Sequence, residues 1–199
     1  MGLGKQSKVL NKSQIQMVSN YLRSKRNGLR NQTIFLLSVR CGLRSKEISQ
    51  LSWKEVCDSN GQIDNCISLT NRSSKGLSGR IIPLHKDVRN NLIELLDIHK
   101  RFYGFDINTS FVVRTERSPF TTSQTIVNMF QRWYQTLGLL GCSSHSGRRT
   151  FITETSKKIS LVGGSLRDIQ MMVGHKSLHT TQKYIESDSE SQRKVIELL

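Results

Sequence analysis

The sequence predicts a mainly α-helical fold with a small antiparallel β-sheet, which is an α+β class. Apolar residues recur at helical spacing in several segments, and two short segments rich in β-branched residues flank a Ser/Gly-rich turn. The chain has 199 residues, of which 36% are hydrophobic and only 2 are proline. That length fits one large domain or two small ones. Because no internal repeat or long linker interrupts the pattern, we expect one domain.

The first two helices are predicted from apolar spacing and from their caps. Over 11–22 the apolar residues follow a helical period, and Asn11 with Gln14 three positions later matches a capping box. A second, more apolar helix is predicted over 32–41. We expect it to end at Gly42, since glycine readily takes the left-handed conformation that closes a helix.

A short helix and a hairpin follow. Apolar residues within 43–51 predict a third helix, with Ser45 as its N-cap. The segments 63–70 and 80–84 predict two paired strands. The connection between them, NRSSKGLSG, predicts an irregular, mobile turn that carries Lys75.

The second half of the chain is predicted to be almost wholly helical. A helix over 87–103 precedes a short strand over 110–113, and a helix over 123–137 follows the cap signal Thr121-Thr122. The remaining predicted helices cover 145–158, 166–173 with Gly174 as C-cap, 180–185 and 189–199.

The charge of the chain favours a polyanionic partner. It has 30 Lys and Arg against 15 Asp and Glu, a formal net charge of +15, and its first 50 residues contain ten basic side chains and a single acid, Glu47. Basic side chains set against phosphates release condensed counterions and so strengthen nucleic-acid binding. Charge alone leaves open a solvated basic surface without a partner. The segment 186–199 has four acids against two bases, which suits a protein partner.

The sequence predicts no membrane segment, disulfide or metal site. No apolar run approaches the ~20 residues that cross a bilayer, and the N-terminus MGLGKQSK lacks the apolar core of a secretion signal. We therefore expect a cytoplasmic protein that does not bind membranes. The four cysteines form no C-x-x-C pair, which favours free thiols.

Four segments carry the candidate catalytic residues. They are GLRSKEISQLSW (42–53), SSKGLSGRIIPL (73–84), HSGRRT (145–150) and GHKSLHTTQKY (174–184). In this order they resemble the catalytic domain of the tyrosine recombinases, the phage integrase family, and the resemblance runs from about residue 8 to the C-terminus. It implies a first arginine at Arg44 with Glu47 as the supporting acid, a hairpin lysine at Lys75, an H-x-x-R pair at His145 and Arg148, the His-or-Trp position at His175, and the nucleophile at Tyr184.

These residue types suit the cleavage of a phosphodiester without a cofactor. A tyrosine phenol has a reference pKa of about 10, so it needs a proton acceptor and stabilisation of the developing charge. Arg44 and Arg148 can bind the non-bridging phosphate oxygens bidentately, which removes the need for a metal ion. His145, one helical turn before Arg148, can donate a hydrogen bond or accept the tyrosine proton. His175 can donate to a phosphate oxygen, and Lys75 can protonate the leaving 5′ oxygen.

Each residue also has an ordinary structural interpretation. The alternatives are an exposed helix pair worth about 0.3 to 0.5 kcal/mol for Arg44 and Glu47, a solvated turn lysine for Lys75, a polar helix face for His145 and Arg148, a helix-end histidine for His175 and a packed aromatic for Tyr184. These interpretations would have to coincide six times in the right order, so the joint pattern favours the recombinase. His85, His99 and His179 show no partner pattern and receive no role.

The resemblance implies a site-specific recombinase that cleaves and rejoins double-stranded DNA through a 3′-phosphotyrosine intermediate, in integration, excision or inversion. It implies a homo-tetramer on DNA and association with the nucleoid, and it leaves room for accessory DNA-bending proteins. Two other functions stay open. One is a type IB topoisomerase activity, which uses the same chemistry on a single duplex, and the other is a DNA-binding module without activity.

The predicted boundaries are a basic N-terminal segment over 1–10, a catalytic domain over 11–186 and a tail helix over 187–199. The resemblance implies that this tail docks on a neighbouring subunit. Most integrases carry an N-terminal core-binding domain, whereas here the motifs begin almost at Met1. The chain therefore resembles stand-alone catalytic-domain recombinases such as the fimbrial phase-switch invertases, or it is a fragment of a longer protein. Gly147 stands where the family often has Leu in H-x-L-R.

Overall fold

Helices form most of the computed structural model, which describes residues 7–70 and 79–184. Within these residues, eight α-helices accompany one two-stranded sheet. The helices are α1 (Lys12–Arg23), α2 (Gly28–Cys41), α3 (Ser45–Gln50), α4 (Lys86–His99), α5 (Ser123–Thr136), α6 (Ser146–Lys158), α7 (Leu166–Val173) and α8 (Leu178–Gln182), and the strands are β1 (Cys66–Leu69) and β2 (Arg80–Pro83). The predicted α+β class is confirmed.

The caps of α1 and α2 fix where these helices begin and end. Asn11 caps α1 in the predicted capping box, and Gly42 closes α2 with a φ of 67°, as expected. However, α2 begins at Gly28, four residues earlier than predicted. Asn27 precedes it in the left-handed conformation, and an added Cβ at Gly28 would lie 2.8 Å from the carbonyl carbon of Arg23. A glycine is therefore required at residue 28 because the start of α2 lies very close to the backbone at the end of α1.

The N-cap of α3 is Arg44, so the prediction of Ser45 was wrong. The backbone N–H of Arg44 donates to the Glu47 carboxylate at 2.8 Å. The Glu47 carboxylate, three residues into the helix, therefore satisfies the backbone N–H of the N-cap residue itself.

The predicted hairpin is present, with β1 antiparallel to β2 and Leu69 opposite Arg80. The predicted mobile turn with Lys75 falls in 71–78, outside the described residues.

The predicted strand over 110–113 was wrong. Phe111 forms only an isolated bridge with Ser52. Ser52 lies between α3 and a 3-10 turn at Trp53–Glu55, so the partner segment offers only two extended residues, Leu51 and Ser52, for pairing.

The second half is helical as predicted, and α5, α6 and α7 lie within one residue of their predicted bounds. His85 caps α4 by accepting a hydrogen bond from the backbone N–H of Asp87, and α4 ends at His99 rather than at 103. The α8 helix begins two residues before the predicted 180. The predicted tail helix lies beyond residue 184, outside the described residues.

The core is built around α2, which packs against α1, α4 and α6. Its buried residues include Ile34, Phe35 and Leu37. Leu10 is buried in the same core, and its backbone N–H donates to the Thr150 hydroxyl of α6. A second, smaller apolar cluster joins α6 to α7. None of the described helices is long and apolar enough to cross a membrane, and all four cysteines are free thiols.

Candidate active site

One cleft of about 410 Å³ brings together five of the six predicted catalytic residues. Its lining consists of Ser7, Arg44, His145, Arg148, Arg149, His175, Thr180, Lys183 and Tyr184. Of the predicted set, only Lys75 is left, and it falls outside the described residues. Four of the lining residues are Lys or Arg, and among the described residues none of the lining side chains is a carboxylate. The cleft is therefore suited to an anion.

Arg44 reaches the cleft from the junction between α2 and α3. Gly42 makes this junction possible, because a side chain there would collide with the ring of Phe151 on α6. The Arg44 side chain is 28% exposed, and its Nη1 donates to Glu47 Oε1 at 2.9 Å. Since Glu47 is only 1% exposed, the pair is not the surface ion pair that the sequence left open.

Glu47 also binds a second arginine, Arg80, which the sequence analysis did not assign to the site. Arg80 donates to both carboxylate oxygens, at 2.9 and 3.0 Å. Burial would raise the pKa of Glu47, but the hydrogen bonds and charges of Arg80 and Arg44 outweigh it and hold that pKa below its usual range. The carboxylate therefore stays ionised between two guanidiniums.

Arg148 is buried at 4% exposure, in the first turn of α6. Its Nη1 donates to the carbonyl of Gly42 and its Nη2 to the carbonyl of Val173, both at 2.6 Å. Burial, together with the nearby positive charge of Arg44, lowers the pKa of Arg148 to about 9. The guanidinium is thus still charged at neutral pH, and it borders the cleft without an acidic hydrogen-bond partner among the described residues.

Gly147, the departure from H-x-L-R, has a packing explanation. An added Cβ there would lie 2.9 Å from the Cβ of Ser38 on α2, and closer still to its hydroxyl. The small residue lets α6 approach α2 closely, so the departure concerns helix packing rather than the residues that line the cleft.

His175 and Tyr184 face each other at the other side of the cleft. The two rings are stacked, with centroids 5.7 Å apart and an interplanar angle of 22°. His175 Nδ1 lies 3.0 Å from the hydroxyl of the buried Thr181. Burial, and then the positive charges of Arg148 and Arg44, lower the pKa of His175 to about 4. The imidazole is therefore neutral at pH 7.

His145 is the N-cap residue of α6 and is exposed at the cleft. Its backbone N–H donates to the hydroxyl of Ser143. The side chain is one turn from Arg148, as the sequence predicted, and it is free to approach a ligand from solvent.

Sequence reasoning missed Arg80, Thr181 and the basic cleft residues Arg149 and Lys183. Thr181 and Lys183 lie inside the segment GHKSLHTTQKY, but the resemblance implies roles only for His175 and Tyr184 in that segment. Arg80 pairs with an acid 33 positions earlier, and nothing local marks that pairing. Among residues 7–70 and 79–184, no cluster of three or more His, Cys, Asp or Glu side chains is arranged to hold a metal ion.

Comparisons with known proteins show the family of the chain. The family model described as the phage integrase family matches residues 8–191. The chain is 27% identical to the tyrosine recombinase XerC of Shewanella amazonensis over 168 residues, covering 84% of this chain and 52% of that protein. It is 26% identical to the tyrosine recombinase XerA of Pyrococcus horikoshii over 174 residues, covering 86% and 55%. The chain thus spans about half the length of these relatives.

A solved structure supports the fold. The Tn1549 transposon integrase, described in complex with a circular intermediate DNA, superimposes with a TM-score of 0.77 at 18% identity and covers 99% of this chain and 67% of that one.

Proposed function

Because the chain belongs to the phage integrase family, we propose that it is a site-specific DNA recombinase that cleaves and rejoins strands through a covalent bond at Tyr184. The observation that carries this proposal is the convergence of Tyr184, His175 and two arginines on one cleft whose described lining has no carboxylate. A tyrosine beside two guanidiniums is what attack on a phosphodiester requires.

In the proposed reaction the Tyr184 oxygen attacks the phosphorus, and the bond from phosphorus to the 5′ oxygen breaks. Arg44 and Arg148 bind the non-bridging oxygens as their negative charge grows. The neutral His175 donates its ring N–H to a phosphate oxygen, and His145 accepts the phenolic proton. Lys75, as the resemblance implies, gives a proton to the leaving 5′ oxygen.

The product is a 3′-phosphotyrosine ester and a free 5′ hydroxyl. A hydroxyl from a second duplex can attack this ester, which restores the tyrosine and exchanges the strands. The positive charge in this scheme comes from side chains, so the proposed reaction uses no metal ion or nucleotide cofactor.

Double-stranded DNA is the proposed partner. The chain has a net charge of +15, and a second basic cleft of about 450 Å³ is lined by Arg26, Arg30, Arg114, Arg117 and Arg132. Its described lining contains one acid, Glu116. This cleft lies at the start of α2 and Arg44 follows the end of that 14-residue helix, a span of about 21 Å. Two basic regions at this separation suit several phosphates of one duplex.

The assembly is also proposed rather than observed. Strand exchange between two duplex sites cleaves two strands at each site, which needs four nucleophiles, so we propose a homo-tetramer on DNA. We also propose that the 187–199 tail docks on a neighbouring subunit. Such an enzyme would act at the nucleoid in the cytoplasm, with or without accessory DNA-bending proteins.

The test is covalent trapping on nicked duplexes tiled from the DNA that flanks the gene for this chain. Wild-type protein should form an adduct that survives denaturation, and Tyr184→Phe should form none while binding the same duplex with a similar Kd, because it removes one hydroxyl and no charge. Tyr103→Phe is the matched control, since Tyr103 is fully exposed. An adduct of normal yield with Tyr184→Phe would refute the proposal. Supercoil relaxation without recombinant product would favour the topoisomerase instead.

A further inference from the structure

Arg80 connects three parts of the candidate site. Its side chain is 6% exposed. Two of its nitrogens bind the Glu47 carboxylate of α3, and its Nε donates to the backbone carbonyl of Met172 in α7 at 2.7 Å. Arg80 itself is the first residue of β2, the strand that follows the segment with Lys75 in the chain. One guanidinium thus bridges α3, α7 and the hairpin.

Both groups that Arg80 binds, the Glu47 carboxylate and the Met172 carbonyl, lie close to a residue that lines the cleft. Glu47 binds the Arg44 guanidinium and caps its backbone N–H. Met172 is three residues before His175, and Gly174 between them lies so close to Arg80 that an added Cβ would be 3.1 Å from its Nη1. A change in Arg80 would therefore reach both Arg44 and His175.

We infer that Arg80 is a positioning residue, which sets the placement of Arg44 through Glu47 and of His175 through the C-terminal end of α7. This inference rests on the proposed function for its consequence in catalysis. Lysine cannot replace arginine here, because one ammonium cannot bind two carboxylate oxygens and a carbonyl in one plane. With Arg80 lost, the buried Glu47 would keep one cationic partner and its geometry would loosen.

The main test compares Arg80→Lys with Arg89→Lys, on the duplex that wild type cleaves in the trapping experiment. Arg89 is a half-buried arginine that donates to the Ile63 carbonyl, away from the cleft. At saturating DNA, the single-turnover rate of adduct formation should fall roughly 10- to 100-fold in Arg80→Lys, because a displacement of ~1 Å at a reacting group costs about that much. The Kd for DNA should change less than about twofold. Arg89→Lys should keep the wild-type rate.

A double variant separates positioning from a general loss of structure. Because Arg80 acts in part through Arg44, the double variant Arg44→Lys with Arg80→Lys should lose less activity than the product of the two single losses, and the loss beyond Arg44→Lys alone reports the route through His175. Fully multiplicative losses, or a normal rate in Arg80→Lys, would overturn the inference. Should Arg80→Lys fail to fold by circular dichroism, Glu47→Gln breaks the same bridge from its other end and must show the same pattern.

An activity-free measurement distinguishes failure of this inference from failure of the proposed function. In the DNA-free protein, the Nε–H signal of Arg44 in nitrogen-15 NMR should broaden by exchange with water in Arg80→Lys and stay sharp in Arg89→Lys. An unchanged Arg44 signal in Arg80→Lys would overturn the positioning role. If the signal broadens while wild type forms no adduct on any duplex, positioning holds and the recombinase proposal fails.

Discussion

The ring of His175 lies nearly parallel to the ring of Tyr184, with 5.7 Å between centroids. This stacking brings together the last two predicted residues of the site, one of which precedes the short helix α8 in the chain and one of which follows it. The Tyr184 backbone N–H donates to the carbonyl of Thr181, and the Thr181 hydroxyl meets His175. The histidine, the threonine and the tyrosine therefore form one local unit.

Removing the hydroxyl of Thr181 should slow adduct formation. Thr181 is fully buried, and when its hydroxyl donates to His175 Nδ1, the other ring nitrogen carries the proton that faces the phosphate. Thr181→Val keeps the shape and loses this bond, so we expect a single-turnover rate roughly 10-fold lower. Thr181→Ser keeps the hydroxyl and should stay within about twofold of wild type. Equal rates for valine and wild type would exclude this role.

Arg148→Lys should lose most activity although the net charge is unchanged. Two nitrogens of Arg148 are already bound to the carbonyls of Gly42 and Val173, and the single nitrogen of a lysine cannot occupy both positions or bind a phosphate bidentately. We expect the adduct rate to fall at least about 100-fold. Arg101→Lys, at an exposed arginine outside both basic clefts, is the control. An adduct rate close to wild type in Arg148→Lys would count against the proposed phosphate contact.

Gly147→Ala should destabilise the domain by about 1 to 3 kcal/mol, the usual cost of overpacking. The new methyl group would press on Ser38 where α6 meets α2. The second change Ser38→Gly should relieve part of this loss, which urea unfolding of the single and double variants can measure. A stable Gly147→Ala variant, with no response to Ser38→Gly, would show that the helices can move apart freely.

Stability should fall between pH 7.5 and pH 5. Burial, with a smaller contribution from Arg114, lowers the pKa of His99 to about 4, and its Nδ1 accepts a hydrogen bond from the buried Trp53 indole. The folded pKa lies below the unfolded value of about 6.5, so the unfolded state binds more protons as the pH falls and folding weakens. With these values the loss at pH 5 is about 2 kcal/mol for His99. His99→Gln should reduce this pH dependence in urea titrations, and an unchanged pH dependence would contradict the assignment.

The local part of this fold was accessible from sequence. Caps such as Asn11 and Gly42 act within a few residues, so the helices they bound could be predicted. The start of α2 could not, because the need for Gly28 arises from its contact with Arg23. The bond between Trp53 and His99 joins residues 46 positions apart, and it gives a histidine without a sequence pattern a structural role.

The candidate site, like the fold, could be predicted from the sequence only in part. The order of the motifs identified Arg44, His145, Arg148, His175 and Tyr184, and the fold brings these five to one cleft. Their chemical roles stay predictions, as does that of Lys75. The support behind them, above all Arg80 and Thr181, depends on side chains that meet only after folding, and a strand-end arginine or a helical threonine carries no signal of its own.

The most direct measurement is the chemical identity of the trapped adduct. After denaturation and digestion of wild-type protein bound to its cleaved duplex, mass spectrometry should find one nucleotide on the peptide that contains Tyr184, joined through a 3′ phosphate, with a free 5′ hydroxyl on the released strand. A nucleotide on any other residue, or a 5′ phosphate link to the protein, would contradict the mechanism.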